Sequence, residues 1–193
     1  ARARAVASGV AGAAPGSQAH DEKRGRVLSV MAGDGVNPVF QPIVNLNSLE
    51  VGGYEALSRF ELASGGTPEQ WFDAAHASGL GAELEIHAIR KAISHVYQLP
   101  ASAFLSLNAS PATLLREDFI SMVEGLHGEC LVVEVTEHAA VEDYEPLQRA
   151  TDRLRRPGDR LALDARGPGF PGPTPCPRPR PARCGARQLV HLW

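Results

Sequence analysis

Four residues of this chain carry side-chain oxygens where an apolar residue would be the ordinary choice. Glu55, Asn108, Glu134 and Asp164 each sit inside or at the C-terminal end of an apolar, strand-like run. If those strands are parallel neighbours in a barrel, their C-terminal ends meet on one face, which is where such folds place their chemistry. Three carboxylates gathered there repel one another, and each is pushed toward protonation unless a cation offsets the charge. Carboxylate and amide oxygens with no His or Cys beside them select a hard ion such as Mg²⁺ or Mn²⁺. Taken singly, each residue reads more simply as a cap or a solvent-facing strand end. Their recurrence on four successive strands is what points to a site.

The elements that must position them alternate along the chain. Asn37 to Val44 reads as a strand whose two prolines suit an edge. After the short turn Asn45-Leu46-Asn47-Ser48, Glu50 to Leu57 reads as a second strand, and so tight a connection makes the two antiparallel. Thr67-Pro68-Glu69-Gln70 is an N-cap, a proline at the first helical position and a Gln able to reach back, which predicts a helix carrying Trp71, Phe72 and Ala75 and stopping at Gly79. Trp71 and Phe72 are read as core residues rather than a stacking platform. A second helix is expected from Gly81 to Gln98, with Ile86, Ile89, Ile93 and Val96 at helical spacing, Pro100 beyond its end, and Glu83 and Glu85 on a solvated face. Then come a strand at 103–107, a helix at 111–125, a strand at 129–135, a helix at 145–155 and a strand at 160–163. Strands alternating with helices predict βα units and a largely parallel sheet, either a barrel or a doubly wound sheet.

Composition narrows the function classes. With 193 residues, 44% apolar and 21% charged, the chain can bury one sizeable core but not two full-sized domains. A net charge of -3 gives no general basic field, so a nucleic-acid polymer is a poor partner. No apolar run approaches the roughly 18 to 20 residues of a membrane span. Cys130, Cys176 and Cys184 show neither disulfide-scaffold nor zinc spacing, which fits a reducing, cytoplasmic setting. The histidines His76, His87, His95, His127 and His138 are scattered and read as surface or partly buried residues, not ligands.

The average conceals a break. Residues 165–193 hold seven of the 15 prolines and five arginines, with no Asp, Glu, Lys or Ile. That segment is basic while the preceding body is acidic. Its alternate prolines over 171–181 remove backbone donors and favour extended conformations over a helix or central strand. Residues 1–26, rich in Ala, Gly and Arg, read as a linker or the remnant of an upstream region.

The motifs Phe-Gln-Pro-Ile-Val at 40–44, Gly-Tyr-Glu-Ala-Leu-Ser-Arg-Phe at 53–60, Ser-Leu-Asn-Ala-Ser-Pro at 106–111, Val-Glu-Val-Thr-Glu-His at 133–138 and Leu-Ala-Leu-Asp at 161–164 occur in that order. Together they resemble the EAL domain, a family of bacterial cyclic di-GMP phosphodiesterases and degenerate relatives. The resemblance covers 27–164 and continues faintly in Gly167, Gly169 and Phe170. It implies a TIM-like (β/α)8 barrel with an antiparallel first strand, about five of whose eight strands are readable here. It further implies hydrolysis of one phosphodiester bond of cyclic di-GMP by a metal-activated water, giving the linear dinucleotide. By resemblance Glu55, Asn108, Glu134 and Asp164 are metal ligands for Mg²⁺ or Mn²⁺, with Glu55, Glu134 and Asp164 serving catalysis. Gln41, Leu57 and Arg59 hold the substrate, and Glu137 supports the site. Relatives also suggest a homodimer through this domain.

The departure from the pattern is equally specific. The family has a second Asp after the one matched by Asp164, followed by a Phe-Gly-Thr-Gly-Tyr type loop. This chain has Ala165, Arg166, Gly167, Pro168, Gly169 and Phe170. The later lysine, glutamate and glutamine of the family are not found either. The expectation is a barrel that cannot close, with bare sheet edges and impaired turnover, and a tail of the kind a reading-frame change in a GC-rich gene produces. A natural degenerate terminus or a wrong gene model would leave the same protein sequence. A non-catalytic module that binds cyclic di-GMP or another protein is the alternative function.

Overall fold

The computed structural model describes residues 15–61, 65–126, 130–135, 144–154, 160–165 and 189–191. In chain order the elements are α1 (Pro15–Ala32), β1 (Val36–Asn45), β2 (Val51–Phe60), α2 (Pro68–Ala77), α3 (Gly81–Ile93), β3 (Phe104–Ala109), α4 (Pro111–Leu114), α5 (Glu117–Glu124), β4 (Cys130–Val135), α6 (Tyr144–Leu154), β5 (Arg160–Ala165) and β6 (Leu189–His191). They build one sheet in the order β5-β4-β3-β2-β1-β6. β2 through β5 are parallel neighbours, and β1 runs antiparallel to β2. The alternating pattern predicts the parallel α/β sheet and the tight turn its antiparallel first strand; the incomplete TIM-like form is the one the resemblance implies.

Local chemistry explains most boundaries. Thr67 accepts a hydrogen bond from the Gln70 N–H while the Gln70 side chain accepts from the Thr67 N–H, closing the capping box that starts α2. Gly79 ends the helix in the left-handed region at φ 69°, a conformation that suits a residue without Cβ. α3 stops at Ile93, short of the expected Gln98, and a 3₁₀ turn at Val96–Gln98 completes the segment. The helix expected over 111–125 is two helices, because Arg116 takes an extended conformation (ψ 128°) between α4 and α5.

Two segments outside the alternation of strands and helices also take part in the fold. Residues 15–26, within the segment read as a linker or the remnant of an upstream region, are the first part of α1, whose Val27 and Val30 are buried beside Trp71, Ala75, Leu80 and Leu84. Arg24 donates to the Ser78 carbonyl at 3.0 Å, and the Arg26 guanidinium lies 4.9 Å over the Trp71 ring. Ala- and Gly-rich composition concealed a helix held by two valines and two arginines. Beyond the proline run, whose residues disfavour a helix or central strand, the basic segment supplies β6, which pairs antiparallel with Ile43, Val44 and Asn45 of β1. The expected bare edge at β1 is therefore covered over those three residues.

The main core lies between the sheet and α3 to α6. Leu105, Leu107 and Ala109 of β3 and Leu131, Val133 and Val135 of β4 meet Ile89, Leu114, Phe119 and Leu147 from the helices. Among the described residues no helix is long and apolar enough to cross a membrane.

Candidate active site

Period-two alternation sends the intervening residues of these strands to the opposite face. There Ile43, Phe104 and the packed Val132 make a small apolar floor. Gly53 belongs to it: a Cβ on Gly53 would lie 2.6 Å from the Phe104 ring, so the ring rests directly on the backbone of β2. Further along the same strands, toward their C-terminal ends, the residues turn polar: Glu55 on β2, Ser106 and Asn108 on β3, Glu134 on β4.

Backbone register sets their spacing. Gln41 lies opposite Glu55, and Glu55 opposite Ser106. Asn108 lies opposite Glu134, and Glu134 opposite Asp164. Two side-chain bonds then cross the strands. Asn108 Nδ2 donates to Glu55 Oε1 at 2.7 Å, joining β3 to β2. Ser106 Oγ donates to Glu134 Oε1 at 2.7 Å, joining β3 to β4. Both bonds end on a carboxylate in partly buried surroundings, where such bonds are strong and poorly screened. The structure thus brings Glu55 and Asn108 into contact and sets Glu134 on the neighbouring strand, with the backbone of Asp164 beside it. The side chain of Asp164 lies outside the described ones, as do Glu137, His138, Gly167, Gly169 and Phe170.

Among the described residues no three His, Cys, Asp or Glu side chains converge on a metal position. Glu55, Asn108 and Glu134 offer only oxygen to a metal, and an amide can present its carbonyl oxygen as readily as its NH₂. That donor set fits a hard divalent cation and would suit a soft one poorly.

The residues expected to hold substrate divide. Gln41 is partly buried on β1 opposite Glu55. Leu57 and Arg59 follow Glu55 on the same face of β2, Leu57 partly buried and Arg59 exposed, with Arg59 Nη1 donating to the Ser58 carbonyl at 3.0 Å. A cavity of about 150 Å³ has Leu57, Arg59, Phe72, Glu85 and Asn108 in its wall. Gln41, Glu55 and Glu134 are not among its lining residues.

Two side chains with specific polar partners lie outside the set that the sequence predicts. Ser106, the first residue of the 106–111 motif, stands two residues before Asn108 and so shares its face. Glu85, read with Glu83 as a solvated face, is 8% exposed, and this is a correction. Its Oε2 accepts the Ser110 N–H at 2.8 Å, and its Oε1 is 3.4 Å from His76 Nε2. Helical spacing held the signal: Gly81, Glu85, Ala88 and Ala92 lie on one buried stripe of α3. Glu83 does meet solvent, and pairs with Arg116 at 2.8 Å. Trp71 is core as expected, 3% exposed and stacked on Phe60 with ring centroids 5.4 Å apart.

A parallel sheet led by one antiparallel strand, with amide and carboxylate oxygens along its C-terminal ends, defines an incomplete TIM-like barrel with an oxygen-rich rim. The chain belongs to the EAL domain family, whose model matches residues 26–174. An uncharacterized protein of Mycobacterium tuberculosis is 31% identical over 145 residues, covering 68% of this chain and 47% of its own length. A probable cyclic di-GMP phosphodiesterase of Escherichia coli, PdeI, is 30% identical over 146 residues, 68% of this chain and 19% of the relative. Among solved structures, the Klebsiella pneumoniae protein BlrP1 in complex with manganese and cyclic di-GMP superposes with a TM-score of 0.58 at 27% identity, covering 72% of this chain and 37% of BlrP1. The chain therefore spans about half the length, or less, of the relatives it matches.

Proposed function

We propose that residues 27–164 form part of a cyclic di-GMP phosphodiesterase domain that binds a divalent cation, Mg²⁺ or Mn²⁺, and the cyclic dinucleotide, with turnover impaired in this chain. The observation that supports it best is the 2.7 Å bond between Asn108 and Glu55, two of the oxygen-bearing residues that the sequence separates by 53 positions. PdeI's name and the manganese and cyclic di-GMP bound to BlrP1 point the same way.

In this reading Glu55, Asn108, Glu134 and Asp164 hold the cation. Ser106 fixes the orientation of Glu134 through its hydroxyl. Arg59, exposed at the far end of β2, offers a planar guanidinium fork to phosphate oxygens, while Gln41 and Leu57 border the nucleotide. The cation, when bound, lowers the pKa of the attacking water and neutralises charge on the non-bridging oxygens. Impairment follows from Ala165, which stands where the family carries its second acidic residue. The setting is the cytoplasm, and a homodimer through this domain is part of the same reading.

Calorimetric titration with Mn²⁺ and cyclic di-GMP, together with chromatographic detection of the linear dinucleotide, tests this. Both ligands are expected to bind, with Mn²⁺ affinity at least about 10-fold lower in Glu55→Ala and no measurable product from the wild type. Product that vanishes in Glu55→Ala would show an intact enzyme and overturn the impairment. Dinucleotide binding indifferent to Mn²⁺ would favour the non-catalytic module. Binding of neither ligand would defeat the proposal.

A further inference from the structure

Glu85 is a buried carboxylate with no place among the family motifs read above, and burying such a charge costs several kcal/mol unless partners offset it. Its partners come from two other segments: the Ser110 N–H at 2.8 Å and His76 Nε2 at 3.4 Å. The histidine reaches it across Gly81, where a Cβ would lie 2.2 Å from the ring's Nδ1. Any larger residue at 81 displaces the ring. α2, α3 and the turn after β3 therefore converge on one carboxylate.

Ser110 is tied at both ends. Its hydroxyl accepts the Thr113 N–H at 3.3 Å and caps α4, and its own N–H is the group Glu85 holds. Ala109, 1% exposed, fixes the alternation on the helix side of β3. With residues 109 and 110 immobilised, the backbone two positions earlier leaves Asn108 directed at Glu55. We infer that Glu85 is a positioning residue, acting through the Ser110 peptide to hold the Asn108 amide on Glu55. A connected path thus runs from α3 to β2 through Ser110 and Asn108. The bearing on metal binding rests on the functional reading above; the positioning itself does not.

Nuclear magnetic resonance of the isotope-labelled full chain tests it. The Asn108 side-chain amide signals are expected to move in Glu85→Ala toward the positions they take in Glu55→Ala. They should stay in place in Glu85→Gln, which keeps a carbonyl for Ser110. If Glu85→Ala does not fold, Glu85→Asp withdraws the acceptor by one methylene and gives the same readout. On the same samples, Mn²⁺ affinity should fall about 10-fold when Glu85 is truncated, and Glu85→Ala added to Asn108→Ala should lose nothing beyond Asn108→Ala alone. Asn108 signals unmoved by either truncation, or displaced equally in Glu85→Gln, overturn the inference. Signals that move as expected in a chain that binds no Mn²⁺ uphold the positioning and defeat only the metal reading.

Discussion

On β3 and β4 the face turned toward the helices and the face turned away from them obey different rules. The helix side is Leu105, Leu107, Ala109, Leu131, Val133 and Val135, none more than 6% exposed, and it is satisfied by shape and volume. The other side begins with Phe104 and Val132 and ends in Ser106, Asn108 and Glu134, where each polar group is held by one particular partner. Apolar packing tolerates exchange of one hydrocarbon for another of similar size. A carboxylate held by one hydroxyl tolerates no such exchange. The difference teaches that stability and chemistry are separable here, although both are written on the same twelve residues.

The separation can be broken at either face. Phe119, fully buried under the helix side, should lose about 3–5 kcal/mol on change to Ala, read as a lowered midpoint in urea melts. The folded fraction should keep its Mn²⁺ affinity, and a parallel loss of affinity would show that the faces are coupled. Ser106→Ala removes the hydroxyl on Glu134 and should cost about 1.5–3 kcal/mol, as for a hydrogen bond to a charged group. It should also weaken Mn²⁺ binding, and a change in stability alone would assign Ser106 to packing.

Acid sharpens the comparison within the helix layer. His87 Nε2 is buried with no hydrogen-bond partner among the described residues. Burial chiefly, and then the Lys91 and Arg90 charges, hold the ring's pKa below its ordinary 6.5. The unfolded chain therefore takes up this proton first, so the contribution is complete above about pH 6.5 and is lost as pH falls below it. Urea midpoints at pH 7.5 and 5.5 should differ less in His87→Leu than in the wild type, and equal differences would remove His87 as the cause. The smallest effect belongs to the surface. Arg153 bridges Glu117 at 2.7 Å and Glu124 at 3.1 Å, both with substantial solvent contact on the arginine side, and Arg153→Ala should barely move the urea midpoint. Any difference from the wild type should shrink further in high salt.

How much of this could be read from residues alone depended on how local the cause was. The start of α2 was legible because Thr67, Pro68 and Gln70 contain the whole capping box within four positions. β1 to β5 were legible because apolar runs broken by turn residues mark them. Glu85 was not, because its partners Ser110 and His76 are distant in sequence or on another helix, and an acidic residue on a helix ordinarily faces water. α1 was hidden for the same reason: only Trp71 and its neighbours give Val27 and Val30 a surface to bury against. β6 could not be foreseen, since three residues acquire strand geometry only by pairing with β1. At the site, the four oxygen-bearing positions were visible as oddities on apolar strands, while the bonds that orient them depend on register.

The short strand at Leu189–His191 has a further meaning for self-association. A sheet with two open margins can add copies of itself without limit, as fibres do. β6 engages the backbone of Ile43 to Asn45, so over those three residues β1 no longer offers its donors and acceptors to a newcomer, while β6 becomes the outer strand of that margin and β5 of the other. A three-residue strand gives a newcomer only a short ladder, so that margin is the weaker of the two templates for backbone pairing between molecules.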